Sequence, residues 1–139
     1  MQEVLDMEND IELLRKELSY KYDFCLATAF DVFARSIQYK INLDEFLFGL
    51  DRLDIPVQAK EASLFFSRYD SDNDGRLGFW ELSNAFLPID VRQRDEIEQR
   101  QPGPQMSPET KELFVRVLKK SIDLELAVEN LRRRVQSNL

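Results

Sequence analysis

The sequence predicts an all-α fold, and three observations lead there. Glycine is scarce, with four copies in 139 residues. Alternating β-branched runs are rare. Apolar residues instead recur every three or four positions, the period of one helix face.

The elements follow in order. Residues 2–19 form a first helix, with Val4, Met7, Ile11, Leu14 and Leu18 on one stripe. A second helix over about 20–34 carries Phe24, Ala27, Phe30 and Phe33. A third spans about 43–53 and stops before Pro56, which cannot continue it. The fourth covers about 57–69 with Ala62, Phe65, Phe66 and Tyr69, and a fifth covers about 79–86 before Pro88. Residues 88–107 read as a linker: a short helix fits 90–100, but Pro102-Gly103-Pro104 breaks it. Ser107-Pro108-Glu109 is a helix start, with Ser107 as cap and Pro108 at the first helical position. The last helix runs to about 136, with Phe114, Val117, Ser121, Leu124, Val128, Leu131 and Val135 on a heptad spacing.

Composition narrows the function. The net charge of −7 opposes nucleic-acid binding, which needs a clustered positive surface. There is no histidine, so nucleophile–His pairs and the usual histidine-built zinc sites are excluded. The single cysteine, Cys25, lies in an apolar run and reads as core, in a reducing compartment. No stretch approaches the roughly twenty apolar residues of a membrane span. Polar and acidic residues follow Met1, so no signal peptide is expected. With no nucleophile–base arrangement and no phosphate loop, an enzyme is not expected.

Residues 70–81 carry the most specific pattern. Asp70, Asp72 and Asp74 alternate, so their short carboxylates can converge from a curling backbone. Gly75 permits the sharp turn that a Cβ would oppose. Arg76 would offer its backbone carbonyl, Gly78 leaves a place for water, and Glu81 is long enough to close the sphere with two oxygens. These positions match the EF-hand loop, whose six to eight oxygens suit a hard cation. Calcium is the expected ion, with magnesium as the competitor that could occupy the loop in its absence. Glu81 stands on the exiting helix, so its binding would couple the ion to helix position.

A repeat lies 36 residues upstream. Phe30 aligns with Phe66, Phe33 with Tyr69, Ile41 with Leu77, Glu45 with Glu81 and Leu50 with Phe86. The ligand positions fail there. Ala34, Ser36 and Gln38 stand where the aspartates should be, and Tyr39 replaces the glycine. Ile41 and Leu77 should lie side by side in a short two-stranded ribbon.

On these residues, 21–87 resemble a calmodulin- or centrin-type EF-hand pair. The first unit (21–53) is degenerate and the second (57–87) binds calcium; residues 1–20 and 108–139 supply amphipathic helices at either end. Such pairs either open a hydrophobic groove on sensing calcium or hold the ion as a structural staple. The resemblance therefore implies a calcium-binding interaction module with one functional loop, or alternatively a scaffold with a static ion. A looser similarity to EF-hand proteins of protist cilia and flagella implies a cytoplasmic, cytoskeletal or ciliary location. The expected partner is another protein, through a helix in a groove or through a coiled coil, with no oligomeric state specified. The acidic first helix and modestly basic last helix could pack on the pair, pair with each other, or bind another chain. The last helix is also a candidate calcium-released latch. Trp80 is expected to touch a neighbour such as the last helix.

Overall fold

The computed structural model describes residues 2–34, 39–101 and 105–137. Among them are seven helices: α1 (Gln2–Ser19), α2 (Leu26–Asp31), α3 (Leu43–Arg52), α4 (Ala59–Tyr69), α5 (Phe79–Ser83), α6 (Val91–Glu98) and α7 (Pro108–Ser137). The described residues contain no strand or sheet, so the all-α expectation holds. The expected two-stranded ribbon reduces to one antiparallel bridge between Ile41 and Leu77. Both of its backbone bonds are formed, at 2.9 and 2.8 Å.

Two helices are shorter than expected. Residues 20–25 form turns, and α2 begins only at Leu26. The cause lies far along the chain. The Arg100 guanidinium donates to the carbonyls of Leu18 (3.3 Å), Lys21 and Phe24 (3.1 Å), and to that of Ser19. These carbonyls at and beyond the end of α1 are held out of a continuing helix, and a cation there also complements the helix dipole. Helix α5 ends at Ser83, where Ala85 and Phe86 make tighter bonds back to Leu82 and Ser83.

One core runs through the molecule. Phe46 stacks on Phe65 at 5.2 Å and 2°, and Phe33 also lies against it, with centroids 5.2 Å apart. At the other end Phe24, Phe86 and Phe114 form a cluster with centroids 4.9–6.2 Å apart. Phe114 belongs to α7, so that helix joins the core of the helix–loop–helix pair. The start of α7 is anchored as well. Asp23 accepts from Ser107 N–H at 2.6 Å and from Thr110 Oγ1 at 2.6 Å. Burial raises the Asp23 pKa, but these hydrogen bonds outweigh it and leave the carboxyl below its usual range. Helix α6 is also built in, through buried Ile97 and packing against α1.

Helices α1 and α7 lie antiparallel, as the ion pairs Asp10–Lys120 (3.7 Å) and Lys21–Glu109 (3.6 Å) record. Burial on α7 stops at Ile122, and on α1 it begins only at Ile11. Beyond those residues the two helices run on with half-buried Val4, Met7, Leu124 and Leu131.

Gly49 on α3 is required by a close approach. A Cβ there would sit 2.5 Å from Phe33 Cε1 and nearer still to Cδ1. Ala is worth about 1 kcal/mol over Gly in a helix, but overpacking a buried ring costs about 1–3 kcal/mol. Gly49→Ala is therefore expected to lower stability by up to about 2 kcal/mol in urea unfolding, against the helix-propensity rule. A gain in stability would show that the Phe33 ring is free to move aside.

Candidate metal centre

The loop between α4 and α5 is shaped by its own side chains. Asp70 caps α4 and is nearly buried, at 7% exposure. Its Oδ2 accepts from Gly75 N–H at 2.9 Å, and its Oδ1 from Asp74 N–H at 3.3 Å. Asp72 Oδ1 accepts from Asp74 N–H at 3.3 Å, and Asp74 Oδ1 from Arg76 N–H at 3.0 Å. These bonds curl the backbone inward. Two left-handed residues complete the curl, Asn73 at φ 54° and Gly75 at φ 79°. Asn tolerates that region better than most residues, and Gly takes it without strain.

Glu81 closes the ring from α5. Its Oε1 accepts from Gly78 N–H at 2.8 Å, and its Oε2 from Ser71 Oγ (3.1 Å) and Asp72 N–H (3.3 Å). One carboxylate oxygen from each of Asp70, Asp72, Asp74 and Glu81 lies within 4.8 Å of the others. The sequence-derived acidic ligands are thus brought together, and the group could hold a metal ion. An all-oxygen, carboxylate-rich set suits hard cations such as calcium or magnesium rather than soft thiophilic metals. Arg76 lies in the same turn, its N–H bonded to Asp74.

The electrostatics are those of crowded negative charge. Burial pushes the Asp70 carboxyl above its usual value, against the hydrogen bond from Gly75. Asp74 goes the other way, to about 2, chiefly because Lys40 bonds it, with the Arg76 N–H adding to the effect. Lys40 Nζ also reaches Asp72 Oδ2 at 3.2 Å. Motif reasoning passed over this lysine, although the 36-residue repeat places it opposite Arg76 and one residue before the bridge.

The upstream loop differs. Ala34 is buried, while Ser36 and Gln38 lie outside the described residues. Tyr39 is exposed. Glu45 forms a capping box on α3, its Oε1 accepting from Asn42 N–H (3.0 Å) while Asn42 Oδ1 accepts from Glu45 N–H (2.8 Å). Glu81 plays the same capping role toward Gly78, so the two units share a local geometry even where only one gathers carboxylates. Trp80 is 57% exposed, with its ring edge-on to Phe79 at 5.0 Å. The neighbour it touches is thus Phe79, within its own helix.

No protein-family model, curated protein or solved structure matches this chain. Among the described residues no helix is long and apolar enough to cross a membrane.

Proposed function

We propose that residues 70–81 bind one calcium ion and that the chain is an EF-hand-type protein-interaction module with this single working loop. The convergence of Asp70, Asp72, Asp74 and Glu81 carries the reading. The left-handed Gly75, the Ile41–Leu77 bridge and the matched capping glutamates support it. The four carboxylates already converge, so binding requires little rearrangement of the loop backbone. The partner is a helical protein, met at the outer end of the α1–α7 pair. There the heptad stripe of α7 continues past the core to Leu131 and Val135, the latter 56% exposed. A cytoplasmic place on the cytoskeleton or in a cilium follows from the family resemblance alone.

The static-staple reading is favoured by one observation. Phe114, Val117, Leu118 and Ile122 of α7 are buried in the core, so the hydrophobic face that a sensor would open is already filled. A calcium titration in millimolar magnesium tests both readings, followed by Trp80 fluorescence and an apolar dye. Saturable binding without new dye fluorescence is the expected result. Dye uptake on loading would favour the sensor, and the absence of any binding heat or fluorescence change would overturn the calcium assignment.

A further inference from the structure

We propose that Lys40, supplied by the upstream loop, is a built-in competitor cation that weakens calcium binding at residues 70–81; the proposal rests on the calcium reading above. Its ammonium bonds both Asp72, at 3.2 Å, and Asp74, two of the four converging carboxylates. The contact is not that of a lysine swinging freely on the surface. Lys40 immediately precedes Ile41, whose backbone is fixed to Leu77 by two hydrogen bonds. The root of the side chain is therefore held beside the loop. Its stem then crosses Gly78, where an added Cβ would lie 3.7 Å from Lys40 Cε and 4.0 Å from Cγ. Gly78 has no side chain, and the lysine stem passes over it.

Lys40 Nζ takes one oxygen of each carboxylate, Asp72 Oδ2 and Asp74 Oδ2, so a divalent ion must compete with the ammonium for the charge of both groups. Loading weakens or breaks these ion pairs, and the lysine charge, rooted beside the loop, repels the ion. Both effects subtract from calcium affinity. The upstream loop, which lacks aspartates at the aligned positions, thereby sets the affinity of its neighbour through one cation placed 36 residues before Arg76.

The test is calorimetric titration of calcium chloride into the full chain and its variants at fixed ionic strength. Lys40→Gln is expected to bind about three- to tenfold more tightly, the range spanned by losing two exposed ion pairs and the residual repulsion. Lys40→Met, which keeps an aliphatic stem over Gly78, is expected to match it. Lys60→Gln, at the opposite end of α4, removes the same charge from elsewhere and is expected to change affinity less than twofold. Unchanged or weaker binding by both Lys40 variants, with the native chain binding normally, would overturn the proposal while leaving the calcium site intact. Equal gains for Lys40→Gln and Lys60→Gln would also overturn it, by assigning the effect to net charge. Failure of the native chain and every variant to bind calcium would instead remove the reading on which it rests.

Discussion

Glu81→Gln is expected to lower calcium affinity at least about a hundredfold while leaving the helix content unchanged. Glu81 brings a full charge and at least one oxygen to the place where the other three acidic groups converge. The amide keeps one oxygen and turns an N–H donor toward the ion. Both coordination number and ligand charge fall, the two quantities that set affinity in loops of this kind. A hundredfold loss is about 2.7 kcal/mol. The local fold should survive, because the amide oxygen can still accept from Gly78 N–H as Glu81 Oε1 does. Calorimetry gives the affinity directly. Thermal unfolding with and without chelator gives a second reading: at a hundred times the native Kd, calcium should stabilise the native chain by about 2.7 kcal/mol, and the variant by about 0.4 kcal/mol or less. Native-like affinity in Glu81→Gln would mean that the ion is held elsewhere.

The acidic ring could be read from the sequence because its geometry is local. Asp70, Asp72, Asp74 and Gly75 lie within one turn of backbone, and Glu81 is set by the first turn of α5. The Ile41–Leu77 bridge could also be read, since a 36-residue repeat aligns the two residues without any knowledge of packing. The turns at 20–25 could not. No glycine or proline marks them, and they depend on Arg100, about eighty residues away, whose guanidinium holds four carbonyls. The stretch read as a linker similarly hides Ile97, buried against the rest of the core through α6. Lys40 was passed over for another reason. Motif spacing describes ligands, whereas this residue acts as a cation reaching in from a neighbouring loop.

Phe114→Ala decides whether α7 is part of the fold or a latch. Its ring is fully buried, 4.9 Å from Phe86 and 6.2 Å from Phe24. Truncating a buried phenylalanine costs about 3–5 kcal/mol, a large part of the 5–15 kcal/mol that holds a typical domain together. The melting temperature should fall by roughly 10–20 °C, in one cooperative transition if α7 is integral. Asp23, Ser107 and Thr110 anchor the same end of α7, so release would have to break that cap together with the aromatic cluster. Calcium affinity discriminates further. If loading favoured a released α7, weakening its docking would strengthen calcium binding by the reciprocal of that coupling. If the ion only stiffens its loop, affinity should stay within about twofold of the native value. The second outcome is expected, because the Phe114 cluster contains none of the residues that shape the carboxylate ring. Tighter calcium binding in Phe114→Ala, with α7 amides exchanging faster than those of α3 and α4, would establish the latch instead.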